Sequence, residues 1–157
     1  MKTINIFVSH HHSDAETIKQ LTDLMGKLHN YELRDSSIYE EKSPNKAHNE
    51  DYIMSLIRPK IDWAGTIIVL IGDKTRTSEW VEWEIEYANR HGKQIIGVFE
   101  RGLADEDALI PDGLSKYADQ ITNWNSENIN KALDGEPIFT NASGGSRSSG
   151  GMDRGEC

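Results

Sequence analysis

A segment with helical apolar spacing, Ser78 to His91, carries the residues whose types and spacing best suit chemistry. Trp80 and Glu84 are four residues apart, so a helix would place them one turn apart on the same face. Trp80 could then wall a pocket with Glu84 at its rim. A carboxylate there can hydrogen-bond sugar hydroxyls and stabilise the positive charge of an oxocarbenium-like state. On the pattern alone, a solvated acidic face is the more common explanation, and the neighbouring Glu82 and Glu86 are predicted to be surface charges.

Three consecutive histidines, His10, His11 and His12, follow Ser9 at the end of the first apolar run. Neighbouring side chains at a strand end alternate between faces, so this run makes a poor metal site, and we expect no bound metal. We expect His10 or His11 to contact the phosphates or ribose of a ligand, together with Ser9, because a partly protonated imidazole supplies positive charge. A polar loop without a ligand is the alternative.

Other polar residues follow later strands of the same pattern. Asp35 is expected to end the second strand, either as a ligand-facing carboxylate or as a turn residue of the Asp-Ser-Ser sequence. Lys74 and Arg76 precede the helix of Glu84, whose electropositive N-terminus could help them hold a pyrophosphate, although exposed loop charges are more common. The sequence has no G-x-G-x-x-G motif and no P-loop, which argues against Rossmann and NTPase functions.

Short apolar runs alternate with helical patterns along the chain. Ile4–Ser9, Thr66–Ile71 and Gln94–Phe99 are β-branched and nearly continuous, as in strands buried on both faces of a parallel sheet. Weaker strands are predicted at Tyr31–Asp35 and Gln120–Thr122.

Helical patterns fill most of the gaps between these strands. They cover Asp14–His29, Asn49–Asp62, Ser78–His91 and a short stretch from about Ser126 to Leu133, with a loop before the last strand. Pro59 is expected to end or kink the second helix. This alternation predicts an α/β, flavodoxin-like three-layer sandwich with a parallel five-stranded sheet in the order 2-1-3-4-5. Ligands of such sheets bind at the carboxyl ends of the strands, where the polar residues above converge.

Composition limits the classes of partner. The 157 residues fit one domain, and the formal net charge of −9 opposes general binding to nucleic acid. The single cysteine excludes an intramolecular disulfide, and no apolar run is long enough to cross a membrane, so we expect a cytoplasmic protein with no membrane or nucleic-acid partner. We predict a folded domain over residues 1–135 and a flexible, Gly/Ser-rich C-terminal tail over 136–157.

Two segments resemble Toll/interleukin-receptor (TIR) domains. INIFVSHHHSD at the start of the chain resembles the family's first strand and the polar loop that follows, and TSEWVEWEIEYA, from Thr77 to Ala88, resembles its Ser-x-Trp-x-x-x-Glu helix. The strand before that helix and the strand after it also fall where the family has them. The resemblance covers about residues 1–135 and therefore indicates a TIR-like domain. The F-x-S-x-x-x-x-D start and the short layout resemble the ThsB-type TIR-like group of bacterial Thoeris anti-phage defence.

The resemblance implies an enzyme that cleaves NAD⁺ as its substrate, without a cofactor, and makes an ADP-ribose-derived signal, often cyclic. The signal would reach a separate effector protein by diffusion. Glu84 would be the catalytic residue, and Ser9, His10, His11, Asp35 and Trp80 would bind the substrate. Cyclisation, hydrolysis and base exchange remain open as outcomes. His10 stands where the family usually has Tyr or Phe, and the loop after the second strand lacks the family's usual glycine.

Two other functions fit parts of the pattern. Many TIR domains are non-catalytic adaptors, and the resemblance implies self-association through TIR-like surfaces in either case. A response-regulator receiver shares the expected strand order, but it needs an acidic pair after the first strand. Here that strand ends in Ser-His-His-His, which argues against a receiver.

Overall fold

A computed structural model describes residues 4–9, 15–25, 31–35, 50–72, 79–103 and 110–145 of the chain. Within these ranges the strands are β1 (Ile4–Ser9), β2 (Tyr31–Asp35), β3 (Thr66–Ile71), β4 (Gln94–Phe99) and β5 (Gln120–Thr122). They form one five-stranded sheet in the order β2-β1-β3-β4-β5, in which all four neighbouring pairs are parallel. The predicted α/β class with a parallel sheet is confirmed.

Five helices occur in the described part of the chain. They are α1 (Ala15–Met25), α2 (Glu50–Trp63), α3 (Glu79–Arg90), α4 (Asp112–Tyr117) and α5 (Ser126–Leu133). Helix α3 ends at Arg90, just before Gly92, whose φ of 72° is one that other residues rarely adopt. Helix α5 begins after Asn125, whose side chain accepts a hydrogen bond of 2.9 Å from the backbone N–H of Asn128.

Side chains alternate between the two faces of the sheet, and each face has its own core. Ile6, Val8, Ile68, Leu70, Ile96 and Val98, all predicted to be buried, have no exposed surface and pack against residues of α1 and α5. The other face buries Phe7, Ile67, Val69, Ile71, Ile95, Phe99 and Ile121 against residues of α2, α3 and α4. Period-two alternation places Ser9 on the second of these faces, with Phe7.

The helices differ from the expectations in two places. Helix α2 agrees with the predicted span, Asn49–Asp62, but it continues through Pro59 to Trp63, so the proline does not end it. Ile57 and Ile61 on either side of the proline are both fully buried, and their packing outweighs the lost backbone hydrogen bond. The expected loop before β5 contains α4. That helix has only six residues, and its local pattern is too short to be recognised.

The predicted tail boundary at residue 136 is too early. The backbone N–H of Ile121 donates to the carbonyl of Ile138, and the N–H of Thr140 donates to the carbonyl of Ile121, so the chain runs parallel beside β5. Thr140 is also nearly buried, at 9% exposure. The folded part therefore includes residues 138–140, and residues 146–157 lie outside the described ranges. No helix in the described ranges is long and apolar enough to cross a membrane.

Candidate active site

Ser9 and Glu84 meet at the carboxyl end of β1. Ser9 is the last residue of this strand and pairs in register with Val69 of β3. Its Oγ donates a hydrogen bond to Oε1 of Glu84 on α3, with an oxygen–oxygen distance of 2.5 Å. Both residues have no exposed surface. The pair joins a strand to a helix across 75 residues of sequence.

The geometry of α3 explains why Glu84 points inward. The buried residues of this helix are Val81, Glu84, Ile85 and Ala88, at the spacing of one helical face. At about 100° per residue, Glu84 lies about 60° around the helix from Val81, and thus within the buried stripe. The expected position of Glu84 at a pocket rim is therefore wrong, because the carboxylate is buried against the sheet.

Trp80 lies at the edge of the same stripe and is half-buried. Its indole packs edge-to-face on that of Trp83, with ring centroids 5.8 Å apart and planes at 78°. The two indoles, Met54 and Glu79 line a cleft of about 180 Å³ between α2 and α3. Trp80 thus walls a cavity, but Glu84 is not among the residues that line it.

Residues 7–105 match the family model described as "Thoeris protein ThsB, TIR-like domain". The chain belongs to this ThsB family of TIR-like domains. The matched range holds Ser9, Asp35, Trp80 and Glu84, and it ends before α4, β5 and α5. The resemblance inferred from the first strand and from the Trp80–Glu84 helix is confirmed. Membership in this family supports involvement in anti-phage defence.

A solved structure also resembles this ThsB-family chain. It is a 2-deoxyribosyltransferase from the psychrotolerant bacterium Bacillus psychrosaccharolyticus, with 12% identity and a TM-score of 0.60, over 80% of this chain and 90% of that one. At this identity the likeness shows a shared fold alone. A search of curated proteins finds no match.

The other predicted site residues of the ThsB-family chain are only partly described. Asp35 is the last residue of β2, and its backbone pairs with Val8, which places it beside the end of β1. His10, His11 and the loop cations Lys74 and Arg76 lie outside the described residues. Across the described ranges, no group of three or more His, Cys, Asp or Glu residues could hold a metal ion.

Two further carboxylates, Glu82 and Glu100, make contacts that the sequence analysis did not predict. Glu82 is not a simple surface charge, because its Oε1 accepts a 3.0 Å hydrogen bond from the backbone N–H of Gly113 and docks α4 onto α3. Glu100 follows β4, and its carboxylate packs so closely on Gly72 that a Cβ there would lie 2.7 Å from Oε2. In the sequence, the position of Gly72 directly after the strand Thr66–Ile71 could have indicated this close approach.

Proposed function

We propose that this protein is a NAD⁺-cleaving enzyme of anti-phage defence, in which Glu84 is the catalytic carboxylate. Its product would be an ADP-ribose-derived nucleotide, cyclic in the favoured version, that diffuses in the cytoplasm to a separate effector. NAD⁺ is the substrate, and no cofactor is required. Membership in the Thoeris ThsB family supports the defence setting.

The observation that carries the proposal is the buried Ser9–Glu84 pair at the carboxyl end of β1. Ligands of open α/β sheets bind at this edge. A buried carboxylate costs stability that an apolar residue would not, so its presence in the core stripe of α3 needs another reason. Cleavage of an N-glycosidic bond supplies that reason.

Cleavage of the N-glycosidic bond requires negative charge beside the ribose C1′. As the bond between the ribose C1′ and the nicotinamide nitrogen breaks, the electron pair leaves with nicotinamide and positive charge develops on the sugar. A carboxylate held beside the sugar stabilises this state and can accept hydrogen bonds from the ribose hydroxyls. Water, an internal atom of the nucleotide or another base then attacks C1′, which gives hydrolysis, cyclisation or base exchange.

Other residues would bind the remainder of the substrate. Trp80 offers an indole surface one turn before Glu84, and Asp35 lies beside the end of β1. Histidines 10 and 11 would contribute positive charge toward the phosphates in a chain whose net charge is −9. Glu84 has no exposed surface, so substrate entry requires movement of the groups that cover it. Self-association through TIR-like surfaces could produce this movement.

A phage-challenge experiment separates this enzyme from an adaptor. Bacteria carrying the complete defence system would express wild type, Glu84→Gln or the control Glu86→Gln, which changes an exposed glutamate 3.8 Å from Arg90. We expect Glu84→Gln to abolish both protection and the nucleotide product measured by mass spectrometry, and the control to keep both. If cells expressing Glu84→Gln remain protected and form no nucleotide product, the protein acts as an adaptor and not as an enzyme.

A further inference from the structure

The Ser9 hydroxyl is directed into the protein rather than toward a ligand. Ser9 has no exposed surface, and its Oγ donates to Oε1 of Glu84 at 2.5 Å. A serine hydroxyl has one proton to donate, so donation to Glu84 leaves none for a substrate atom. The expectation that Ser9 binds the substrate directly stays a prediction, and in this arrangement the hydroxyl could only accept a hydrogen bond from the substrate.

Both partners of the pair stand on rigid elements. Strand β1 is paired on one side with β2 and on the other with β3, and Ser9 itself is in register with Val69. Helix α3 is held against the same face of the sheet by fully buried Val81, Ile85 and Ala88. The direction of the hydrogen bond is therefore determined by the packing of β1 against α3, and not by a loop.

We propose that Ser9 is a positioning residue that holds the Glu84 carboxylate in its catalytic orientation. The inference rests on the proposed function. A carboxylate terminates a side chain with three rotatable bonds, and a fixed donor on one of its oxygens restricts the last of them. Preorganised charge is effective because no reorientation is needed as the transition state forms. Ser9 would therefore contribute to the chemical step and not to substrate affinity.

Steady-state kinetics of nicotinamide release test this assignment. Ser9→Ala removes the hydroxyl, and we expect kcat to fall about ten- to a hundredfold, the usual range for a lost hydrogen bond to a charged group. KM should stay within about twofold, because the hydroxyl does not contact substrate. Ser9→Thr keeps a hydroxyl on a strand and should restore most of kcat. In a Glu84→Gln background, Ser9→Ala should have little further effect, because the two residues act as one unit.

A matched control tests whether any buried hydroxyl at a strand end has this effect. Thr122 ends β5, has no exposed surface, and donates within the adjoining turn to Asn123. Thr122→Val should leave kcat unchanged. Thermal unfolding would verify that each variant folds, and Ser9→Cys, with a weak donor of similar size, replaces Ser9→Ala if the alanine variant does not fold.

The outcomes separate this inference from the function on which it rests. A raised KM with unchanged kcat would show that Ser9 binds substrate, and an unchanged or increased kcat in Ser9→Ala would show that it does not position Glu84. Either result, in an active wild type, overturns the positioning role alone. A wild type that releases no nicotinamide, even at high protein concentration or in phage-challenged cells, overturns the proposed function and with it any catalytic role for the pair.

Discussion

Glu84 occupies a place in α3 where packing alone would favour an apolar side chain. Its helical neighbours Val81, Ile85 and Ala88 are all buried, and the strands beneath them are lined with isoleucine, valine and phenylalanine. Ser9 donates a hydrogen bond to Oε1 of Glu84, and burial of an ionised carboxylate still costs stability because the group is removed from water. Glu84 therefore lies in a well-packed apolar core, and its buried charge lowers the stability of that core.

The thermal stability of Glu84→Gln measures how much the buried charge of Glu84 destabilises the fold. Glutamine keeps the shape and can still accept the Ser9 hydrogen bond, but it removes the charge. We expect the variant to be more stable by about 0.5–2 kcal/mol, with a melting temperature higher by about 2–5 °C. Differential scanning calorimetry at pH 7 checks this result. A fall of more than about 1 kcal/mol would instead indicate that the carboxylate is structural.

The sequence indicated Glu84 as a candidate site residue but did not predict its burial. The four-residue spacing from Trp80 places both on one side of α3, yet it does not say which of them faces the sheet. Val81, Ile85 and Ala88 mark the centre of the buried stripe, and Glu84 lies about 60° from that centre while Trp80 lies about 100° from it. The Ser9 contact spans 75 residues and could not be read from local patterns.

Among the elements, α4 shows how a short helix depends on a neighbour. It has six residues, too few to be stable alone, and it buries Gly113 and Leu114. Its contact with α3 is close, because a Cβ on Gly113 would lie 2.8 Å from Oε1 of Glu82 and 2.9 Å from Cγ2 of Ile85. Glycine here permits the approach of the two helices.

Replacing this glycine tests the packing of α3 against α4. Gly113→Ala should destabilise the protein by about 1–3 kcal/mol, because the added methyl meets Cγ2 of Ile85, which is fully buried in the core, as well as Oε1 of Glu82. Gly65→Ala is the control, since a Cβ there meets nothing within 4 Å. Urea denaturation of both variants compares them. Equal stability of the two variants would contradict the close packing described here.

The strands were the most predictable elements. Ile4–Ser9, Thr66–Ile71 and Gln94–Phe99 are buried on both faces, and continuous β-branched runs are typical of such strands. Features that depend on long-range contacts could not be predicted, and α4 is one of them. Another is the continuation of α2 through Pro59, where burial of Ile57 and Ile61 outweighs the tendency of proline to end a helix.

At the scale of the whole molecule, the fold extends beyond the part that the family model matches. That match ends at residue 105, whereas β5 completes the sheet and α5 buries Ile129, Ala132 and Leu133 in the core. The segment after α5 then pairs with Ile121 and covers the edge of β5. The sequence placed the end of the domain too early because this segment has no periodic pattern of its own.

Two truncations test where the fold ends. Ending the chain after Gly135 removes the backbone bonds to Ile121 and exposes β5, so the melting temperature should fall by at least about 5 °C. Ending it after Gly145 removes only the Gly/Ser-rich end and should change the melting temperature by less than about 2 °C. Circular dichroism melts of both chains give the comparison. Equal melting temperatures of the two truncated chains would show that the folded domain ends before residue 136, as expected from the sequence.

Nicotinamide release by purified protein tests most directly whether Glu84 is the carboxylate on which NAD⁺ cleavage depends. Wild type, Glu84→Gln and Glu86→Gln would be incubated with NAD⁺ at high protein concentration, and free nicotinamide would be followed by chromatography. Loss of a preorganised charge typically costs about 10²–10³ in rate. We expect a fall of that size for Glu84→Gln and none for Glu86→Gln. Equal release by wild type and Glu84→Gln would contradict the assignment of Glu84.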